Sequence, residues 1–396
     1  MQKLPSYVST VLQTLETGGY KAYLVGGCVR DLLMGRSPKD FDIATSAIPE
    51  AVIALFPKTI PTGLAHGTVT VLIDHAHIEV TTFRKDGDYQ DHRHPEQVTF
   101  VDEIEADLAR RDFTMNAIAM CKAGVLTDPF GGREDIRGET IRSVGDPCLR
   151  FEEDALRMFR AFRFSAQLGF QIEADTLSAI KGKSMLAKTL SAERVRDEIQ
   201  KTLCSEHPEI LTDVLSYGLL DAYVSPVPID RQAMEEIRHC TDSPSILWCA
   251  FAAILKHWGA IADSKTFLKS LRLPRSVIER GGEGANLAQF SLSEDVIALK
   301  HLLAAYGEET VLLAAEASRC LGHPPRSELV RTIIQSGECY RTSDLAVQGN
   351  DLLAHGIPQG AQMGKTLQKL LAYVIKNPEQ NTRKDLLHLL NTYKSL

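Results

Sequence analysis

The sequence contains no long apolar run. Crossing a bilayer as a helix takes about 20 consecutive, mainly apolar residues, and no segment of the 396-residue chain meets this requirement. The N-terminal residues Met1–Pro5 also lack the basic stretch and apolar core of a signal peptide. We therefore expect no membrane partner and a cytoplasmic location.

Cysteine and histidine motifs for disulfides or zinc are missing too. The chain has eight cysteines but no C-x-x-C pair, and its 12 histidines form no H-E-x-x-H motif. Disulfide scaffolds are typical of much shorter, secreted chains. We expect free thiols in a reducing compartment and no zinc site.

An excess of positive charge is absent as well. The formal net charge is −7, whereas nucleic-acid-binding domains are usually basic. Most of the acidic excess lies within residues 1–150, and the remainder of the chain is nearly neutral. Within that remainder, residues 255–280 and 361–396 each carry six basic and two acidic side chains. A nucleic acid would therefore bind to local patches such as these, through salt-dependent contacts with its backbone.

The character of the sequence changes near residue 150. Before it, short helical segments alternate with strands rich in Val, Ile and Thr; after it, longer segments show an apolar period of three to four residues. The predicted strands are residues 22–25, 40–44, 68–73, 77–83 and 97–101. The predicted helices are 7–18, 28–34, 153–168, 192–203, 208–217, 245–257, 264–271 and 293–306. This pattern predicts an α+β fold, with a small mixed sheet in an N-terminal head and an all-helical remainder.

A pair of glycines separates the first predicted strand from a helix. Gly26 and Gly27 are followed by Arg30 in the first turns of that helix. Glycines let a backbone approach a ligand closely, helix N-termini attract phosphate, and arginine is a bidentate phosphate donor. Taken alone, the pair is weak evidence, because a tight turn that binds nothing has the same sequence.

Two aspartates follow this turn. If Asp40 and Asp42 share a strand, they face the same side, and their carboxylates repel each other unless a cation lies between them. Beside a triphosphate that cation would be Mg²⁺, which takes few protein ligands and shares the substrate's phosphates. Together with the glycines, the pair indicates phosphoryl or nucleotidyl transfer. Glu79, on the strand 77–83, is a further candidate carboxylate.

A second polar constellation begins the helical part. If residues 153–168 form one helix, Asp154 and Arg157 are neighbours on one face. Cytosine and adenine each present an amine donor beside a ring-nitrogen acceptor, so a carboxylate and a guanidinium can satisfy either base. Uracil and guanine reverse the pattern and would leave polar groups unpaired at about 1–3 kcal/mol each. The pair predicts selection of CTP and ATP without a nucleic-acid template. The same spacing is also found in exposed helix ion pairs.

These motifs resemble one family. The segments 26–31, 40–42, 109–118 and 153–163 are similar to the class II tRNA nucleotidyltransferases and their bacterial poly(A) polymerase relatives, of the DNA polymerase β-like superfamily. The resemblance implies that Asp40 and Asp42 are catalytic and hold the metal. It also implies nucleotide-binding roles, which fall on Gly27, Arg30, Arg111, Asp154, Arg157, Arg160 and Arg163.

Further segments carry structural or selective roles in this family. The resemblance implies that residues 128–133 form a turn at the end of the head, and that residues 192–198 brace the neck helix through ion pairs. The polar segment Lys85–Pro95 resembles the loop that switches addition from C to A. Together with the segment 345–353 and the overall length, it favours the CCA-adding enzymes of Bacillus-like bacteria. The expected substrates are a tRNA 3′ end, CTP and ATP, and the expected assembly is a homodimer.

The predicted organisation has four parts: a catalytic head (1–148), a nucleotide-selecting neck (149–205), a helical body (206–290) and a tRNA-binding tail (291–396). Three alternatives stay open. One is a CC-adding, A-adding or poly(A) enzyme of the same fold. The second is a transferase that modifies small molecules, and the third is a non-catalytic RNA-binding protein on a decayed transferase scaffold.

Overall fold

The computed structural model describes residues 4–87 and 98–394. The chain forms two compact units, of which the first comprises residues 1–202 and 213–222 and the second comprises residues 203–212 and 223–396. The four predicted parts, with boundaries after residues 148, 205 and 290, stay predictions.

A seven-stranded mixed sheet lies at the centre of the first unit. The strands are β1 (Ala22–Val25), β2 (Asp42–Thr45), β3 (Thr59–Gly63), β4 (Thr68–Ile73), β5 (Ala76–Thr82), β6 (Arg84–Asp86), β7 (Val98–Phe100), β8 (Ala119–Met120), β9 (Leu126–Thr127), β10 (Thr140–Ile141) and β11 (Gln171–Ile172). The sheet order is β3-β4-β5-β2-β1-β8-β9, and β6–β7 and β10–β11 form two separate pairs. Within the large sheet β2 and β5 run parallel, and the other neighbours run antiparallel.

The helices of this unit cover the sheet and continue beyond it. They are α1 (Ser6–Thr17), α2 (Gly27–Leu33), α3 (Pro49–Leu55), α4 (Ile104–Ala109), α5 (Gly132–Arg137), α6 (Pro147–Glu153), α7 (Leu156–Leu168), α8 (Ala174–Lys183) and α9 (Ala192–Leu203), with α10 (Leu211–Ser216) at the boundary between the units. Successive strand residues point to opposite faces. Leu24 therefore packs in one core with Leu12 of α1, whereas Val25 packs in a second core with Leu108 of α4.

The second unit is helical. Its helices are α11 (Arg231–Glu235), α12 (Pro244–His257), α13 (Ser264–Ser270), α14 (Gly282–Leu287), α15 (Val296–Tyr306), α16 (Glu308–Ala317), α17 (Ser327–Gln335), α18 (Gly349–Ala354), α19 (Ala361–Lys376) and α20 (Arg383–Lys394). Residues 247–255 of α12 are all buried. A Cβ on Gly284 would lie 3.0 Å from Cys249 Sγ and 3.1 Å from Leu313 Cβ, so glycine allows α14 to pack closely on α12 and α16.

The α+β fold class is confirmed, but two local predictions are wrong. The predicted strand 40–44 begins only at Asp42, and Asp40 lies in a bend before it. The predicted helix 153–168 is interrupted, because α6 ends at Glu153 and α7 starts at Leu156. The short strands β8 to β11 escaped prediction because two residues carry no readable periodicity.

Two further sequence-based expectations concern the whole chain. All eight cysteines are free thiols, as expected. Among the helices of the described residues, none combines the length and the apolar character that a bilayer crossing requires.

Candidate functional site

The turn between β1 and α2 brings a backbone segment against two charged side chains. Gly26 has φ 76° and ψ −138°, a conformation that essentially only glycine adopts. A Cβ at this position would lie 3.0 Å from Arg111 Nη1 and 4.0 Å from Asp42 Oδ2. Gly26 therefore permits the close approach of Arg111, whereas Asp42 lies at an ordinary contact distance. Gly27 is the first residue of α2.

Three carboxylates lie near this turn. Asp42 opens β2 and is in register with Glu79 on the parallel strand β5. Partial desolvation by the surrounding protein raises the pKa of Asp42, and the charges of Glu79 and Asp40 raise it further, against the opposite effect of Arg111. Asp40 and Asp42 are thus electrostatic neighbours although they do not share a strand. Their proximity comes from the bend that precedes β2, and not from the alternation of side chains along one strand.

The donor set suits a hard cation that is shared with a ligand. In the described part of the chain, no three His, Cys, Asp or Glu side chains converge closely enough to hold a metal by themselves. Magnesium commonly binds through one or two carboxylates together with substrate phosphates. Desolvation is the main cause of the raised pKa of Asp42, and the charges of Glu79 and Asp40 add to it; a divalent cation would favour the ionised carboxylate against both effects.

The guanidinium group of Arg111, whose Nη1 lies beside the glycine turn, also pairs with a buried aspartate. Its Nη2 lies 3.1 Å from Asp107 Oδ2, and Arg110 Nη2 lies 2.8 Å from Asp107 Oδ1. Burial would raise the pKa of Asp107, but the two guanidinium charges outweigh burial and lower it. The Nε of Arg111 is buried and has no hydrogen-bond partner among the described residues. This leaves a cationic side chain over the glycine turn with unused donor capacity.

Asp112 connects the head to α7. It accepts from the Nε of Arg160 at 2.7 Å, from the backbone N–H of Phe113 at 2.8 Å and from the Asn116 side chain at 3.3 Å. Burial opposes ionisation, but Arg160 above all, then the N–H of Phe113 and the charge of Arg157, lower the pKa of Asp112 to about 2. Asn116 in turn accepts from Arg30 Nη1 at 2.8 Å. The network fixes the orientation of Arg30 and Arg160.

The chain breaks its helical path at Asp154. This residue has φ −146° and ψ 102°, and its side chain accepts from the backbone N–H of Leu156 at 3.1 Å. Asp154 therefore caps the N-terminus of α7, a position that aspartate favours. The expectation that Asp154 and Arg157 share one face of a continuous helix is wrong. Asp154 precedes the helix to which Arg157 belongs.

Asp154 and Arg157 also have separate partners. Arg194 of α9 donates to both oxygens of Asp154, at 3.1 and 2.9 Å. Arg157 donates to Glu153 at 2.6 Å and, through Nη2, to the Arg110 carbonyl at 3.0 Å. A guanidinium has more N–H donors, and a carboxylate more acceptor sites, than these bonds use. The predicted bracing role of residues 192–198 is consistent with the contact of Arg194.

Arg163 is more deeply held. Its Nε donates to Glu198 at 2.6 Å, and its Nη1 donates to Gln167 at 2.8 Å. Burial lowers the pKa of Arg163, and the nearby charge of Arg160 acts in the same direction, against Glu198. Glu198 belongs to the segment that was expected to brace the neck.

The first unit thus contains every residue of the predicted site. The sequence did not reveal several of the side chains to which these residues bind. Asp112 and Asn116 lie within the segment 109–118, so the motif already contained them without showing what they bind. Glu79 was singled out, but only strand register shows that it faces Asp42. Of the predicted switching loop Lys85–Pro95, residues 88–95 lie outside the described residues.

The turn at residues 128–133 has a packing role. Both carboxylate oxygens of Asp128 accept backbone N–H groups, from Gly132 at 2.7 Å and from Arg133 at 2.9 Å. A Cβ at Gly132 would lie 2.1 Å from the Thr114 carbonyl oxygen. Glycine is therefore required for α5 to pack against the segment that carries Arg111.

Comparison with protein families divides the chain into three matched regions. Residues 22–142 match a family described as "Poly A polymerase head domain". Residues 169–226 match "Probable RNA and SrmB- binding site of polymerase A". Residues 241–390 match the second domain of tRNA nucleotidyltransferases.

Two relatives that match nearly the whole chain carry the same name. A CCA-adding enzyme of Lactobacillus helveticus is 38% identical over 375 residues, which cover 94% of this chain and 93% of the relative. A CCA-adding enzyme of Geobacillus kaustophilus is 39% identical over 380 residues, with the same coverage. The crystal structure of the Bacillus stearothermophilus CCA-adding enzyme in complex with CTP matches with a TM-score of 0.82 and 34% identity, over 100% of both chains.

Proposed function

Because this chain belongs to the family of CCA-adding tRNA nucleotidyltransferases, we propose that the head and neck residues described above form its nucleotide site. The reaction is the addition of C-C-A to the 3′ end of tRNA, with CTP and ATP as substrates. The observation that carries the assignment of the site is the position of Asp42. It lies in register with Glu79, and both Asp42 and Arg111 lie beside the turn at Gly26.

Asp40 and Asp42 are the residues that would hold Mg²⁺, with Glu79 as a neighbouring carboxylate. Support comes from the carboxylate donor set and from the raised pKa of Asp42. When bound, the ion supplies Lewis-acid activation of the tRNA 3′-hydroxyl and neutralises triphosphate charge.

The chain's own cations orient the triphosphate. Arg111 lies beside the turn at Gly26, where α2 begins, and the N–H groups of a helix N-terminus attract phosphate. Arg30, Arg160 and Arg163 are fixed by carboxylate partners and present their remaining N–H groups to the nucleotide. The hydroxyl attacks the α-phosphorus and pyrophosphate leaves. Positioning and charge neutralisation supply most of the catalysis in such transfers.

Asp154 and Arg157 select the base. The carboxylate accepts the exocyclic amine of cytosine or adenine, and the guanidinium donates to the adjacent ring nitrogen. Arg194 holds Asp154, and Glu153 holds Arg157, so each of the two base-selecting side chains can move independently of the other. This separation suits a site that accepts two bases of different size.

The tRNA is held by the helical part of the chain through its backbone. Of the basic residues in the segment 255–280, Lys265 is neutralised by Glu279 and Glu283. Lys365 and Lys369, by contrast, are exposed one turn apart on α19. We therefore place the contacts with the tRNA backbone at Lys365 and Lys369 of α19, and not at Lys265.

A tRNA that lacks its terminal C-C-A tests the reaction. Incubated with labelled CTP and ATP, separately and together, the chain is expected to add two C residues and then one A and to stop. Tails of repeated A would instead identify a poly(A) polymerase. The match of the helical part to tRNA nucleotidyltransferases disfavours a small-molecule transferase, for which activity without RNA would be the signature.

Two experiments test the site. Asp42→Asn is expected to abolish incorporation while the thermal midpoint changes little, because Asp42 is exposed at the start of β2. Removal of divalent ions with EDTA is expected to abolish the activity of the unaltered chain, and Mg²⁺ to restore it. Incorporation by Asp42→Asn at the unaltered rate would refute the assignment.

Eight free thiols support a location in a reducing cytoplasm. The family resemblance supports a homodimer, and light scattering on the purified chain tests it.

A further inference from the structure

One phenyl ring lies among three arginines of the proposed nucleotide site. Phe164 is 6% exposed. Its ring centroid is 3.9 Å from Arg163 Cζ, 5.3 Å from Arg160 Cζ and 5.4 Å from Arg30 Cζ. All three distances fall within the range of about 6 Å over which a ring attracts a cation. Phe113 packs against the same ring, edge to face, at 5.8 Å.

The arginines reach this ring from two elements. Arg30 belongs to α2, next to the glycine turn, whereas the other two belong to α7 with Phe164 itself. Each guanidinium is also paired with its own carboxylate, on Asp31, Asp112 and Glu198. The ring is the feature that all three share.

A ring supports cations in a way that a carboxylate does not. Three guanidinium groups close together repel one another, and the charge of Arg160 helps to lower the pKa of Arg163. A further carboxylate would relieve this repulsion, but it would occupy N–H donors and place negative charge beside a triphosphate. The electron-rich face of a phenyl ring attracts the guanidinium planes and accepts no conventional hydrogen bond from their N–H edges.

We infer that Phe164 is a positioning residue for nucleotide binding, whose ring face holds Arg30, Arg160 and Arg163 in place for the phosphates of CTP and ATP. The inference rests on the proposed function, because it takes these arginines as nucleotide contacts. The competing role is packing alone, in which only the shape and the apolar surface of the side chain matter.

Fluorination of the ring separates the two roles. Trifluorophenylalanine at position 164 of the full chain nearly keeps the shape of the ring but withdraws electrons from its face. We expect the Kd for CTP and for ATP, measured by equilibrium dialysis without tRNA, to rise about two- to tenfold. The KM of both nucleotides should rise with little change in kcat.

Phe162 provides a matched control on the same helix. Its buried ring packs on Tyr217 at 5.6 Å. The same fluorinated residue at position 162 is expected to leave nucleotide affinity unchanged. At position 164, Phe164→Tyr should retain more affinity than Phe164→Leu, and the ratio of CTP to ATP affinity should stay constant in both, since the base is selected elsewhere.

The outcomes distinguish this inference from the proposed function. If Arg160→Gln and Arg163→Gln weaken nucleotide binding but the fluorinated ring does not, Phe164 is a packing residue and the inference is wrong. If those arginine variants bind CTP and ATP like the unaltered chain, the proposed nucleotide site is wrong, and the inference falls with it. Weaker binding in the arginine variants and with the fluorinated ring at 164, but not at 162, supports both.

Discussion

Arg194 donates to both carboxylate oxygens of Asp154, at 3.1 and 2.9 Å, although 40 residues separate the two in the sequence. The bond joins the start of α9 to the cap of α7. It fixes the orientation of the carboxylate that is proposed to accept the exocyclic amine of the incoming base. Arg194 can thereby influence which nucleotide is added through the orientation of Asp154.

Arg194→Gln is therefore expected to weaken base selection. With the two bonds from Arg194 lost and Asp154 held by the N–H of Leu156, the preference for CTP over UTP should fall about tenfold, which corresponds to the energy of one hydrogen bond to the base. Single-nucleotide incorporation into tRNA that lacks C-C-A measures the ratio. The control is Arg196→Gln on the same helix, where Arg196 pairs with the exposed Asp197. Equal selectivity in the two variants would contradict the role of Arg194.

Gly26→Ala is expected to remove activity. The added Cβ would occupy an unfavourable conformation at φ 76° and lie 3.0 Å from Arg111 Nη1, which would have to move. Gly35→Ala is a matched control, because Gly35 has φ 72° but open space around its ideal Cβ. Both variants should be destabilised by about 1 kcal/mol or more, and only Gly26→Ala should lose nucleotide incorporation. Loss of activity in Gly35→Ala would point to strain alone.

The ion pair of Asp112 and Arg160 gives a pH-dependent contribution to stability. The pKa of Asp112 is lowered to about 2 in the folded chain, below the unfolded value of about 3.9. A lowered pKa stabilises the fold above the unfolded value, and the gain is lost as pH falls toward the folded value. Asp112→Asn should therefore cost about 2 kcal/mol at pH 7.

Urea unfolding of the unaltered chain and of the Asp112→Asn variant measures the difference in their stability across pH. The gap between the unaltered chain and Asp112→Asn should be constant from pH 7 to about 5 and shrink below about 4. A gap that already closes between pH 7 and 5 would show that another group is responsible.

Exposed lysines of α19 are expected to contribute to tRNA affinity. Replacing Lys365 and Lys369 together by glutamine should weaken tRNA binding. It should also reduce the slope of log K against log salt by about 0.7–0.9 for each phosphate that the variant no longer neutralises. Lys265→Gln is the control, since Lys265 is neutralised by Glu279 and Glu283. Filter binding at several salt concentrations gives both slopes, and an equal loss of affinity in the control would remove α19 from the interface.

Local sequence predicted much of the fold but not its interruptions. The strand Thr68–Ile73 and the helix Ala192–Leu203 have the predicted bounds, because each shows clear periodicity over its whole length. The helix 153–168 was predicted as continuous because its apolar pattern passes through Asp154. The preference of aspartate for helix N-termini was the signal in the sequence that this helix is interrupted. It prevails over the apolar periodicity because the Asp154 side chain accepts from the N–H of Leu156.

The sequence by itself determined the family and supplied the charged residues that we propose for the site, since Gly26-Gly27, Asp40-x-Asp42 and Glu153-Asp154-x-x-Arg157 are contiguous motifs. Only the tertiary structure decided which of these residues bind each other. Asp42 meets Glu79 through strand register, and Asp154 meets Arg194 through the packing of two helices. Spacing along a chain defines neighbours within one turn or one strand, whereas ion-pair partners are chosen by contacts between distant segments, which local periodicity does not encode.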